Sequence, residues 1–258
     1  MSSMLVRSLG FPATLIHGDT LVLDRWLWLK KHLPRVAGGS KRLLDVGCGS
    51  GAFSIGAASR GYRSLGLSWD KRNQEIAGER AAICGLTHAS FEVQDVRKLD
   101  ERTDLYGEFE IVICCENIEH ILNDRKLMVE MANCLKPGGT LLLTTPNSSF
   151  KPMYGDDGVV STTEDGGHVR RGYAEEDLRS LCRSAHLQVL EIGYCGGFAS
   201  QRITSLLRLL SRIHSLLGWV LILPLRVIPP LIDPLIARFT RYPLYCITLI
   251  AKKPSLGV

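Results

Sequence analysis

The run Arg42-Leu43-Leu44-Asp45-Val46-Gly47-Cys48-Gly49-Ser50-Gly51 constrains this chain more than any other stretch: an apolar segment ends in three alternating glycines, and a helix-compatible segment, Ala52 to Arg60, comes next. A strand that feeds such a turn lets a ligand lie against bare backbone, with a helix N-terminus pointing at it. The spacing is not the dinucleotide fingerprint G-x-G-x-x-G, because position 52 is Ala and the next glycine is Gly56. A chance glycine turn in an unrelated α/β protein is the alternative reading.

The rest of the chain repeats the strand–helix alternation. Short apolar runs at 42–47, 63–68, 89–94, 109–115, 139–145, 187–194 and 244–251 read as strands, with helical stretches at 51–60, 71–84, 123–135 and 174–185. This pattern predicts a mostly parallel sheet covered on both faces. Right-handed crossovers then bring the ends of the first four strands to one edge, where open α/β sheets bind ligands. Residues 1–40 read as a leader plus a helix from Asp19 to Leu33, broken by Pro34 and Gly38-Gly39. No apolar segment with a cleavage site marks a secretory signal.

The net charge of +5 is local. Between Gly196 and Pro243 there are six arginines (202, 208, 212, 226, 238 and 241), no lysine and one acid, Asp233, whereas the remainder holds 25 bases and 25 acids. A broad nucleic-acid-binding field is therefore not expected. The same segment is rich in Leu and Ile and too long for a simple connection. Gln201, Ser205, Arg208, Arg212 and Ser215 step by fours and threes, opposite Ile203, Leu206, Leu207, Leu210, Ile213 and Leu217, which predicts an amphipathic helix with a narrow basic face. Leu216 to Leu225 is uncharged but too short to span a bilayer, and Pro224, Pro229, Pro230 and Pro234 punctuate the stretch from there to Pro243. A lid over the active site, a membrane contact and a dimer interface are the readings open to this insertion. The eight cysteines show no metal-ligand spacing and read as reduced core residues of a cytosolic protein.

The glycine turn resembles the first motif of the class I S-adenosylmethionine-dependent methyltransferases, and four further places match that family's pattern in order. Gly66-Leu67-Ser68-Trp69-Asp70 ends the second strand, where the family carries a ribose-binding acid; here Ser68 occupies that position. The run is also similar to a variant in cyclopropane-fatty-acid-synthase-like enzymes, so ribose binding is shared among Ser68, Asp70 and Asn73 or Gln74. Asp70 as a plain helix cap is the competing reading. In Gln94-Asp95-Val96 the resemblance assigns Asp95 to the adenine amine and the Val96 amide to the ring. In Cys114-Cys115-Glu116-Asn117-Ile118-Glu119-His120 it places Cys115 and Glu116 along the cofactor cleft and Glu119-His120 beside the transferred methyl. Leu135-Lys136-Pro137-Gly138-Gly139 is a turn common in the family. The resemblance covers most of residues 40–195. It implies a Rossmann-like seven-stranded mostly parallel sheet with helices on both faces, the last strand antiparallel and a helical insertion between strands six and seven.

The implied division is an N-terminal helical cap (1–40), a core that binds S-adenosylmethionine (41–195), the insertion (196–243) and a last strand with tail (244–258). Cofactor contacts fall to Asp45, Gly47, Cys48, Gly49, Gly51, Ser68, Trp69, Asp70, Asn73, Asp95, Val96, Cys115 and Glu116; no metal site is expected. His120 and His168 are the candidate bases, each with a plain structural role as its alternative. The stretch Thr145-Pro146-Asn147 … Gly167-His168 … Tyr173-Ala174-Glu175 is more loosely similar to ubiquinone-biosynthesis-type O-methyltransferases. The expected activity is methylation of a small lipid-like or glycolipid hydroxyl, with S-adenosylhomocysteine as by-product and peripheral contact with an anionic membrane. Carbon methylation of a lipid, or a non-catalytic scaffold docking a partner through 196–243, are the alternatives. Oligomeric state is not legible.

Overall fold

Leu43, Leu44, Asp45 and Val46 are buried on both faces of the sheet, as the central strand of a parallel sheet requires. This strand, β1 (Arg42–Val46), pairs in parallel with β2 (Arg63–Ser68) on one side and β4 (Phe109–Cys115) on the other. The computed structural model describes residues 2–16, 20–154 and 160–255. Outside these strands lie β3 (Ala89–Val93), β5 (Leu135–Pro146), β7 (Cys246–Lys252) and β6 (Gln188–Cys195), giving the order β3-β2-β1-β4-β5-β7-β6. β7 is antiparallel to both its neighbours, as expected.

Among the described residues ten α-helices join and cover the sheet: α1 (Ser2–Leu9), α2 (Pro12–Ile16), α3 (Leu21–His32), α4 (Ala52–Ala58), α5 (Lys71–Ile83), α6 (Asp124–Cys134), α7 (Glu175–Ser184), α8 (Phe198–Ile213), α9 (Ser215–Ile222) and α10 (Pro229–Thr240). One core cluster gathers Leu44, Val112, Leu141 and Leu249 under α6 and α7; the other places Trp26, Leu29, Ile113 and Leu142 under α3 and α4. Gly56 lets α4 approach α3, since a Cβ there meets the Trp26 ring at 2.5 Å.

The N-terminal region departs from the expected leader and single helix. Three helices stand there, the predicted start at Asp19 lies outside the described residues, and α3 begins at Leu21. α1 and α2 are too short to signal themselves by period. They are held from a distance, because Trp219 Nε1 donates to the Ile16 carbonyl at 3.0 Å and the Arg226 guanidinium donates to the same oxygen.

The insertion is helical as predicted, but its orientation corrects the sequence reading. Gln201 is fully buried, and its amide donates to the carbonyls of Gly196 (3.2 Å) and Pro243 (3.0 Å), the two ends of the insertion. Ser205 accepts from the Tyr154 amide at 3.2 Å and Arg212 donates to the Tyr154 hydroxyl at 3.1 Å. The polar stripe thus faces the domain, while Leu206, Leu209 and Ile213 face outward, Ile213 with 79% of its surface exposed. Arg226 is buried and belongs to no outer basic face. The prolines do not stop α10 either. Pro229 and Pro230 occupy first-turn positions that need no amide hydrogen, and Pro234 sits inside the helix. Among the described residues no single helix is long and apolar enough to cross a membrane; Gly218–Val227 and Pro229–Thr240 reach that length only as a pair bent by 66°.

Candidate active site

The C-terminal ends of β1, β2 and β4 meet at one sheet edge. The amides of Gly47 and Cys48 both donate to the Leu67 carbonyl, at 3.0 and 2.9 Å, which pins the glycine turn to the end of β2. Gly47, Gly49 and Gly51 all have positive φ, the conformation glycine alone adopts without cost. Their surroundings differ. A Cβ on Gly47 meets the Asn117 side chain and one on Gly51 meets Ala77 and Phe91, whereas Gly49 looks into open space.

That space is a cavity of about 480 Å³ lined by Gly47, Gly49, Ser68, Trp69, Asp70 and Asn73 at one end and by Asp95, Val96 and Glu116 further along. Nine of the thirteen residues expected to hold the cofactor therefore border it. The other four do not. Asp45, Cys48 and Cys115 are buried behind the wall, and Gly51 is the left-handed N-cap of α4. Each serves the wall: Ser54 Oγ donates to Asp45 Oδ2 at 2.6 Å, and the Cys48 thiol lies against the Gln74 amide.

Asp70 caps α5 and borders the cavity at once. Its Oδ1 accepts from the amides of Arg72 and Asn73, capping α5, while Oδ2 accepts from Asn73 Nδ2 at 3.0 Å and the residue borders the cavity. Gln74 is buried and turned away toward Cys48 and the Ser68 carbonyl. Trp69 leaves 69% of its surface exposed at the mouth. Asp95 is gripped by Arg97, whose side chain donates to both carboxylate oxygens and, at 3.1 Å, to Glu164. These hydrogen bonds hold the Asp95 carboxyl below its ordinary range.

At the other end the chemistry is acidic and basic together. Glu116 has φ of +50°, a strained value for a residue with a side chain. Its carboxylate accepts from Arg25 of α3 at 3.0 Å and from Thr144 Oγ1 at 3.2 Å. Glu119 is fully buried. Burial first, and the charge of Glu116 second, push its carboxyl well above the usual range, which favours its neutral form. Thr145 Oγ1 donates to its Oε2 at 3.1 Å, and Oε1 has no partner among the described residues. His120 lines the cavity, with Nδ1 3.0 Å from the Gly167 carbonyl. A carbonyl only accepts, so Nδ1 carries the hydrogen and Nε2 is left as an acceptor. Nε2 lies 4.0 Å from Glu119 Oε1. His168 packs edge-on against His120 with ring centres 4.6 Å apart, so the two candidate bases form one cluster although His168 is not part of the wall. Glu119, His120 and His168 offer donor atoms within 4.8 Å of one another, a set able to share a cation.

Sequence reasoning missed Arg25, Arg97, Asn117 and the loop residues Glu164, Asp165 and Gly166 as site residues. Asn117 and the loop lay within motifs already singled out. Arg25 had one signal, a charge on the turn of α3 that also carries Trp26 and Leu29 inward.

The methyltransferase-domain family model matches residues 26–192. The chain is 27% identical over 163 residues to a ubiquinone biosynthesis O-methyltransferase of Marinobacter nauticus, covering 61% of this chain and 68% of that protein. Among solved structures, the fold is similar to phosphoethanolamine N-methyltransferase 2 of Haemonchus contortus in complex with S-adenosyl-L-methionine, with TM-score 0.62 and 17% identity over 98% of this chain and 60% of that one. It is comparably similar to the [4+2]-cyclase SpnF, with TM-score 0.60 and 20% identity over 93% and 86%. A shared fold therefore does not fix the reaction.

Burial raises the Asp45 carboxyl to about 7 against the Ser54 hydrogen bonds that lower it. A carboxyl whose folded value lies above its unfolded one binds its proton more tightly when folded, so its contribution to stability falls as pH rises from about 4 to about 7. Asp45→Asn should flatten this part of the urea-unfolding profile and raise stability at pH 8 relative to the parent chain. An unchanged pH dependence contradicts the assignment.

Proposed function

The chain belongs to the methyltransferase-domain family and is an S-adenosylmethionine-dependent methyltransferase, and from that premise we propose that it methylates the hydroxyl of a small lipid-like acceptor. The observation that carries this reading is the cavity itself: a bare glycine turn, the polar side chains of Ser68, Asp70 and Asn73, and the His120 imidazole all line it.

In this reading Gly49 leaves room for the methionine part of the cofactor. Ser68, Asp70 and Asn73 offer acceptors and a donor to the ribose hydroxyls. Asp95 accepts the adenine amine, sharing its oxygens with Arg97, and the Val96 amide reaches the ring. The cofactor supplies an activated methyl on a sulfonium. The chain supplies alignment, which is worth about 7–11 kcal/mol when both reactants are held in line. His120 Nε2 takes the hydroxyl proton, with Gly167 fixing the tautomer and protonated Glu119 adding no competing charge. The loop carrying Glu164 and His168 closes the acceptor side through the Arg97–Glu164 ion pair.

A lipid-like acceptor is supported by the insertion. It exposes Leu231, Leu235, Phe239 and Ile213, and Arg202, Arg212, Arg238 and Arg241 of the same segment are exposed as well. Such a face suits peripheral contact with the anionic inner surface of a membrane. The curated relative's name, a ubiquinone biosynthesis O-methyltransferase, agrees with oxygen as the nucleophile.

Calorimetry of the chain with S-adenosylmethionine should show binding that Gly49→Arg abolishes, because the side chain fills the cavity. Binding retained by the variant removes the cavity from the proposal. His120→Gln should lower turnover on a phenolic acceptor by about 10²–10⁴-fold with cofactor affinity preserved. Unchanged turnover rules out His120 as the base, and NMR of the product separates oxygen from carbon methylation. The chain should co-sediment with phosphatidylglycerol vesicles at low salt and less so at high salt; no sedimentation at low salt overturns the membrane contact.

A further inference from the structure

Cys195 and Cys246 stand directly opposite each other in the β6–β7 register. Opposed residues of an antiparallel pair have Cα atoms about 4.5–5.5 Å apart, inside the window of about 4.4–6.8 Å that a disulfide spans. Both thiols are free. Burial, and then its hydrogen bond to Cys195, push the Cys246 thiol well above its ordinary range.

The two differ in access. Cys246 is fully buried, whereas half-buried Cys195 lines a second cavity, of about 720 Å³, between α3, the end of β6 and α10. Lys30, Lys31 and Arg60 border this cavity. Its acids are already engaged: Asp24 accepts from Ser200 Oγ, and Asp233 accepts from the amides of Ala199 and Ser200 at 2.7 and 3.0 Å. The cavity therefore offers a small anionic molecule cationic groups and one reachable sulfur.

Cys246 also touches the active site. Arg25 Nε donates to its sulfur at 3.4 Å, and the same guanidinium holds Glu116 at 3.0 Å on the cofactor cavity wall.

We propose that Cys195 and Cys246 form a thiol–disulfide exchange site for a small anionic disulfide of the glutathione type, and that its oxidation loosens Arg25 from the methyl-transfer site. Cys195, as thiolate, attacks one sulfur of the reagent; the S–S bond breaks, one thiolate leaves and a mixed disulfide forms. Cys246 gives up its proton and attacks the Cys195 sulfur, expelling the second thiolate. Two protein thiols are oxidised to one disulfide, and the reagent is reduced to two thiols that carry away the two protons. The new bond draws the Cys246 sulfur toward β6 and off Arg25, which leaves the guanidinium held through Glu116 with one anchor fewer. The effect on methyl transfer rests on the function proposed above; the exchange chemistry does not.

The full chain is equilibrated in mixtures of oxidised and reduced glutathione, quenched in acid, alkylated, digested and mapped by mass spectrometry. A peptide pair joined through Cys195 and Cys246, lighter by two hydrogens, is expected. Cys246→Ser and Cys246→Ala should instead accumulate glutathione on Cys195. Cys195 remaining fully alkylatable, or stopping at the mixed disulfide in the unsubstituted chain, overturns the site. Calorimetry with S-adenosylmethionine should find the oxidised chain about tenfold weaker, restored by dithiothreitol and unaffected by oxidant in Cys195→Ser. Equal affinity in both redox states overturns the coupling through Arg25. A reduced chain that binds no S-adenosylmethionine refutes the methyltransferase reading and leaves the peptide map standing on its own.

Discussion

The hydrogen bonds from Gly47 and Cys48 to the one carbonyl of Leu67 hold the rest of the site in place. They turn β1 back toward β2 at the point where the chain must enter α4. Gly51 then needs a left-handed conformation to start that helix, and Gly47 needs one to pass Asn117. The same carbonyl immediately precedes Ser68, so the turn and the Ser68–Asn73 side of the cavity share one anchor. A side chain at Gly66 would strike Cys48, Phe91 and Ser54, all within 3.0 Å of its Cβ. That is why this edge of the sheet is built from the smallest residues, and why it leaves a cleft and not a packed layer.

Charge sets the second constraint. Glu116 and Glu119 lie three residues apart at the end of β4, and the interior cannot carry both as anions. Arg25 compensates one, because it reaches Glu116 directly, and Thr144 adds a hydrogen bond. Glu119 feels the guanidinium only as a long-range charge, and burial raises its carboxyl well above the usual range. A buried pair of this kind contributes little net stability, yet losing one partner leaves an uncompensated charge. Arg25 therefore couples the N-terminal helix α3 to the chemistry at the end of β4.

The sheet was legible because parallel strands, buried on both faces, are continuous apolar runs, and each crossover helix interrupts them with its own period. The cavity lining was legible where the residue type is forced, as at Gly49 and Asp95, which both border it. It was misread where a motif residue serves the wall. Asp45 and Cys48 belong to the motif, but their side chains point into the packing beneath the turn. Arg25 and the pairing of Cys195 with Cys246 depend on contacts between segments more than ninety residues or fifty residues apart in the chain, which no local pattern records. The helices α1 and α2 were hidden by shortness, and α10 by prolines that its first turn accommodates.

The inversion of α8 arises from the same accounting of polar groups. The insertion leaves and re-enters the sheet at Gly196 and Pro243; the Gly196 carbonyl accepts from the Tyr245 amide and from Gln201, and the partly buried Pro243 carbonyl accepts from Gln201. A buried carbonyl without a donor costs more than an exposed leucine gains by burial elsewhere. Gln201 is the one side chain of the first turn with an amide long enough to serve both, so it turns inward. Asp233 turns inward for the complementary reason: the α8 N-terminus presents the amides of Ala199 and Ser200, and this acid of α10 accepts from both. With the polar residues committed to the two ends, the leucines and isoleucines of α8 and α10 are left on the outer face. An apolar surface of this size is a cost in water. Exposed arginines stand in the same segment, and the proposed membrane contact rests on that combination of exposed apolar and cationic side chains.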